Sequence, residues 1–68
     1  MIIIDRENKK IEVNVPNATE AIIKYGNQTE ELFLNGGYGF VTGLDIQNVG
    51  TIIVKAVTVL EEQSDIIE

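Results

Sequence analysis

Thr51-Ile52-Ile53-Val54-Lys55-Ala56-Val57-Thr58-Val59-Leu60 is the longest strand-like stretch in the sequence, and most of its side chains are β-branched. Such side chains are stiff at χ1 and pack well on a pleated surface. Successive residues of a strand face opposite sides. Ile52, Val54 and Ala56 therefore point one way, and Ile53, Val57 and Val59 point the other, with only Lys55 interrupting that second face. A strand apolar on both faces is normally central in its sheet. In a 68-residue chain both faces are hard to cover without a second subunit or a partner.

Upstream, short apolar runs alternate with polar turn clusters, and no long stretch carries helical periodicity. The first expected strand is Ile2 to Asp5, apolar on both faces, followed by the polar turn Arg6-Glu7-Asn8-Lys9. The second is Lys10 to Val15, where Ile11, Val13 and Val15 alternate with Glu12 and Asn14. Pro16 has no N–H to donate and ends that ladder. Asn17-Ala18-Thr19 turns the chain into a third strand, Glu20 to Tyr25, and Gly26-Asn27-Gln28-Thr29 into a fourth, Glu31 to Leu34. Asn35-Gly36-Gly37 is a strong reversal signal, leading to Tyr38 to Thr42. Gly43 to Gly50 is a connection with two apolar pegs, Leu44 and Ile46. The expected architecture is all-β: a small antiparallel sandwich or barrel of about six short strands. It occupies one domain, residues 1–60, followed by an acidic tail, 61–68, in which Ile66-Ile67 either fray or dock on a neighbour.

Composition excludes many chemistries. The chain holds 5 basic and 11 acidic residues, for a net charge of −6, and has no His, Cys or Trp. Ile, Val and Thr make up 23 of its residues. Without Cys or His there is no disulfide, no thiolate metal site and no usual zinc site. A domain this small buries only roughly 60% of its unfolded surface, so tight sheet packing or oligomerisation must supply stability. No apolar run reaches the ~20 residues of a membrane span, and Met1-Ile2-Ile3-Ile4 passes straight into Asp5-Arg6, which leaves no signal-peptide core. Met1 suggests a complete small reading frame. Asn17-Ala18-Thr19 and Asn27-Gln28-Thr29 fit the glycosylation pattern but read as turn chemistry. An acidic surface repels phosphate, and Lys9-Lys10 with Arg6 form the one small basic cluster, so direct nucleic-acid binding is not expected.

Catalytic material is scarce. Ser64 is the single Ser, and there is no His to activate it. Glu30-Glu31 and Glu61-Glu62 are adjacent pairs, which strand geometry turns to opposite faces. The glycines Gly36, Gly37, Gly39 and Gly43 lack the spacing and the following Lys of a phosphate loop. Tyr38 and Phe40 interleave with them and are expected to pack across the sheet. Oxygen ligands for calcium occur at Asp45, Gln47 and Asn48 and at Asp5 and Asn8. Neither set has the spacing of a calcium-binding loop, and both read as turn caps. No catalytic residue, metal ligand or cofactor is assigned.

Phe40-Val41-Thr42-Gly43-Leu44, followed by Gly50-Thr51-Ile52-Ile53-Val54-Lys55-Ala56-Val57, resembles the back half of a fibronectin type III or related immunoglobulin-like sandwich. Such domains often carry a Thr-Gly-Leu step, a loop and a strand ending in Val-x-Ala. The resemblance implies a sandwich-like sheet and carries over no functional residue. The tyrosine usual at the start of the late strand is replaced by Thr51 and Ile52. The chain is also roughly 20–30 residues short of a full seven-strand domain.

These features point to a non-enzymatic structural or assembly protein. The expected type is a small bacteriophage virion component, such as a capsid decoration or auxiliary protein, a fibre base or a tail accessory. It would act through protein–protein contacts as a homo-oligomer or within a larger virion assembly. The expected interface is Ile2, Ile3, Ile4, Ile53, Val57 and Val59, and the expected location is the virion or the host cytoplasm, without a membrane. One alternative is an acidic inhibitor or anti-defence protein that mimics nucleic acid, which requires Glu12, Glu20, Glu30, Glu31 and Asp45 on one face. Another is a generic small binding module.

Overall fold

Turn chemistry and β-branched alternation divide the chain into strands along its length. The computed structural model describes residues 1–58 and 62–67. Among the described residues there are seven strands and no helix. They are β1 (Ile2–Asp5), β2 (Lys10–Asn14), β3 (Ala18–Tyr25), β4 (Gln28–Phe33), β5 (Tyr38–Val41), β6 (Ile52–Thr58) and β7 (Glu62–Ile67). They form two antiparallel sheets, a three-stranded one in the order β1-β2-β5 and a four-stranded one in the order β4-β3-β6-β7. The two sheets make a small all-β sandwich.

Three tight turns set the boundaries. Ala18 N donates to Val15 O at 3.0 Å across Pro16-Asn17, and Asn17 has φ 72°. Pro in the second position and a positive φ in the third define a type II turn. It needs only two central residues, so β3 starts at Ala18 and not at the expected Glu20. Between β3 and β4, Tyr25 pairs with Gln28 around Gly26-Asn27, and Gly26 alone has positive φ, the signature of a type II′ turn. That shortens the expected four-residue turn and moves β4 from Glu31–Leu34 to Gln28–Phe33. At Gly36-Gly37 both φ values are positive, 63° and 85°, and Asn35 and Tyr38 exchange both backbone hydrogen bonds. This is a type I′ turn centred on Gly36-Gly37, with Asn35 flanking it and not in the central place an Asn-Gly pair favours. Its flanking strands nevertheless separate at once, β4 into one sheet and β5 into the other. The reason lies at Gly37, whose carbonyl accepts from Val15 N at 2.8 Å and draws the chain onto β2.

The core lies between the sheets. Ile11 and Val13 of β2 face Ala21, Ile23 and Tyr25 of β3 and Ile52 and Val54 of β6, all buried. Ile2, Ile4, Val15, Leu32, Leu34, Val41 and Val49 pack around them. Burying one such Ile stabilises the fold by about 1.5–3 kcal/mol. Leu44 and Ile46, the expected pegs, are buried in the same cluster. The stretch read as an acidic tail supplies the backbone of β7 along β6, with Ile53 opposite Ile67. Val59 and Leu60 lie outside the described residues. The described residues thus hold seven strands where about six were expected, the added one being β7 in the stretch read as a tail. The strands are short, 4–8 residues each, and the turns are tight.

Candidate functional site

With the core accounted for, the remaining chemistry sits on the two outer sheet faces and at one pole. On the three-stranded sheet, Ile3, Glu12 and Phe40 form one cross-strand row and Asn14 pairs with Tyr38. Lys10 reaches Glu12 at 3.6 Å and sits over the Phe40 ring, 5.0 Å from its centroid. Tyr38 Oη donates to Glu12 Oε2 at 3.1 Å. That hydrogen bond, followed by partial desolvation, raises the Tyr38 phenol above its ordinary value of 10.0. The two aromatics therefore pack across the sheet as expected, yet both remain exposed.

The outer face of the four-stranded sheet is built from alternate residues of β4, β3 and β6. The pairing sets three rows: Phe33–Glu20–Val57, Glu31–Ile22–Lys55 and Thr29–Lys24–Ile53. Phe33, 76% exposed, is the most exposed large apolar side chain among the described residues. Ile22, Lys24, Ile53 and Lys55 line a shallow depression of about 180 Å³. These nine positions include two carboxylates and two ammonium groups, and by register Glu62, Asp65 and Ile67 of β7 continue the rows beyond Val57, Lys55 and Ile53.

At the pole, the hairpin tip between β1 and β2 holds the connection from β5 to β6. Arg6 Nη1 donates to Ile46 O at 3.0 Å and to Val49 O at 2.6 Å, and Nη2 donates to Gly50 O at 2.8 Å. Gln47 Nε2 donates to Glu7 O at 3.0 Å, and Leu44 N donates to Lys9 O at 3.1 Å. Both Asp5 carboxylate oxygens accept from Asn8, one from its side chain and one from its backbone. These bonds hold the Asp5 carboxyl below its ordinary value of 3.8. Of the residues read as possible calcium ligands, Asp5, Asn8 and Gln47 thus act as turn and loop fasteners. Among the described residues no three acidic side chains are grouped to hold a metal.

The expected interface divides. Ile2 and Ile4 point inward and pack against the core, which corrects their assignment to an outer surface. Period-2 geometry put one face of β1 into this chain's own sandwich. Ile3 remains exposed on the three-stranded sheet. Ile53 and Val57 lie on the outer face of the four-stranded sheet, and Val59 is outside the described residues. The carboxylates of the nucleic-acid-mimic reading do not converge. Glu12 is on one sheet's outer face, Glu20 and Glu31 are on the other's, Glu30 falls on the opposite side of β4, and Asp45 is in the polar loop. Phe33, Ile22 and Lys24 were not singled out from the sequence. Their signal was the alternation of Ile22 with Ala21 and Ile23, and of Phe33 with Leu32 and Leu34, which leaves two apolar residues facing away from the core. No protein-family model, curated protein or solved structure matches the chain.

Proposed function

We propose that the chain is a non-enzymatic assembly protein that works by contact through its outer sheet faces. Its nearest functional type would be a small bacteriophage virion component, such as a capsid decoration or auxiliary protein, a fibre base or a tail accessory. The observation that carries this reading is the exposed Phe33 on the outer face of the four-stranded sheet, a face that also holds Ile22, Ile53 and Val57 interspersed with charged side chains. A large aromatic side chain left this exposed on a sheet face is a candidate contact point for a partner. The strand order also supports kinship with the immunoglobulin-like sandwiches. In chain order, the first, second and fifth strands form one sheet and the third, sixth and seventh belong to the other. Constant-type immunoglobulin domains have the same division, except that their fourth strand joins the first sheet. Here the fourth strand pairs with the third.

The test is density-gradient fractionation of particles from the source, with mass spectrometry across the gradient. Recovery of the chain at constant stoichiometry with particles is the expected result. Recovery only as free protein at the top of the gradient overturns the reading.

A further inference from the structure

We propose that the cleft between the β3–β4 turn and the Gly43–Gly50 connection binds a primary alkylammonium group, carried by a free amine or by a lysine side chain. The cleft is separate from the outer sheet faces, and the inference does not depend on the contact-protein reading above. It has a volume of about 350 Å³ and is lined by Tyr25, Asn27, Gln28, Asp45 and Val49. That volume lies at the small end of ligand pockets. Gly26 and Gly43 also border it, and neither adds a side chain that would fill it. The strand register sets Gln28 opposite Tyr25 and Glu30 opposite Ile23, on the side of the β3–β4 hairpin that carries core residues.

The hydroxyl of Tyr25 is the first unengaged group there. Tyr25 is 7% exposed and belongs to the core cluster, yet its Oη has no hydrogen-bond partner among the described residues. No side-chain nitrogen or oxygen among the described residues is both sealed from solvent and unpartnered. The Tyr25 Oη therefore opens into the cleft that its residue lines. A phenylalanine would fill the same core position, so packing does not account for the hydroxyl. Asp45 is the second unengaged group. Its carboxylate makes no ion pair and no hydrogen bond among the described residues. The charges that act on the Tyr25 phenol are the Glu30 and Asp45 carboxylates, and after burial they push it above its ordinary value of 10.0. Arg6, fastened to the same connection, has its guanidinium engaged by three carbonyl oxygens.

The chemistry of the lining selects the ligand. A carboxylate, a phenol oxygen and two carboxamides offer acceptors from several sides, and no basic side chain lines the cleft. An ammonium group carries three donors and no acceptor. Asp45 takes the charge-assisted bond, which is the strong one, and Tyr25 Oη and a carboxamide oxygen take the others. The half-buried Val49 gives the alkyl stem an apolar wall. A calcium ion fits less well, because it takes roughly six to eight oxygen ligands, and the described residues hold no group of three acidic side chains. An anion is repelled by Asp45, by Glu30 and by the net charge of −6, whereas the same field draws cations in. One charge-assisted contact in an open cleft gives weak binding, with a Kd of about 1–10 mM.

Amide chemical shifts of the isotope-labelled full chain, followed during titration with n-butylammonium chloride at constant ionic strength, test the inference. The expected result is a saturable shift of the amides at Tyr25–Gln28 and Gly43–Asp45, which n-butanol and butyrate do not produce. Asp45→Asn, in an exposed loop, weakens binding about tenfold, and Tyr25→Phe, which keeps the ring, weakens it about fivefold. Glu20→Gln, on the outer sheet face, leaves it unchanged, which separates the cleft from general attraction to an acidic chain. N-acetyl-lysine methylamide distinguishes the two sources. Tighter binding than butylammonium assigns the cleft to a lysine side chain of a protein, and equal or weaker binding assigns it to a free amine. Shifts that do not saturate, that n-butanol reproduces or that Asp45→Asn leaves intact overturn the inference. None of these outcomes bears on recovery of the chain with particles, so the contact-protein reading stands or falls separately.

Discussion

At Gly37 one missing methyl group determines the route of the chain. A Cβ there would overlap the Val15 carbonyl oxygen, and the residue also has φ 85°. Gly36 has φ 63° but open space around it. Gly36→Ala therefore bears only the left-handed penalty, about 1–2 kcal/mol. Gly37→Ala adds a clash with backbone that cannot move aside, and should lose clearly more, about 3 kcal/mol or beyond. Urea midpoints of the two variants check this difference, and equal losses would contradict the geometry. Lys9 offers the reverse case. It holds φ 56° with a side chain that disfavours it. Lys9→Gly should stabilise the hairpin, by up to about 1 kcal/mol after the entropy that glycine adds to the unfolded chain. A lower thermal midpoint would show that the Lys9 side chain compensates for its strain.

At the level of elements, Arg6 fastens a loop of no regular structure to a hairpin tip. Its planar fork places two nitrogens against three carbonyl oxygens, which an ammonium on a flexible stem does not reproduce. Arg6→Lys should cost about 1.5–3 kcal/mol. It should also speed amide hydrogen exchange at Leu44 and Ile46, while the β3 amides keep their protection relative to global unfolding. Uniform acceleration across all strands would show that the loop is not a separate unit. Strand identity was legible in the sequence because alternation and turn residues are local signals. Ile11, Val13 and Ile52 declared their burial by period 2 and Asn35-Gly36-Gly37 declared a reversal, whereas the turn expected at Asn17-Ala18-Thr19 is centred on Pro16-Asn17. Pairing between distant strands was not legible. Nothing local to Tyr38–Val41 says that it joins β2 and not β4, and the cause is a hydrogen bond to Val15 some twenty residues away. The inward turn of Ile2 and Ile4 was hidden for the same reason. An apolar run on both faces of an edge strand does not say which face the chain itself will cover.

For the whole molecule, the two tyrosines report the integrity of the sandwich in alkali. Tyr25 is raised above 10.0 by burial, then by the nearby Glu30 and Asp45, and Tyr38 chiefly by its bond to Glu12. A phenol whose folded value is raised contributes stability that is complete below about pH 10 and lost as pH climbs through the folded value. Tyrosinate absorbance should therefore develop above pH 10, and the urea midpoint should fall over the same interval. Tyr38→Phe should leave one high step, belonging to Tyr25. Titration of both groups at the ordinary value would contradict the packing around them. A last consequence concerns the order in which the molecule comes into being. The central strand β6 follows every other strand of its sheet except β7 in the chain, yet β3 reaches its full cover only against it. During synthesis the β3–β4 hairpin must wait with its apolar sides uncovered, and β5 must likewise arrive before β2 is flanked on both edges. Non-local closure of this kind is slow for the size of the chain. Without β6, Ala21 and Ile23 lack the partner strand that completes their cover. The carboxylates of Glu30 and Glu31 on the β4 edge limit contacts between such half-covered chains by repelling a like strand.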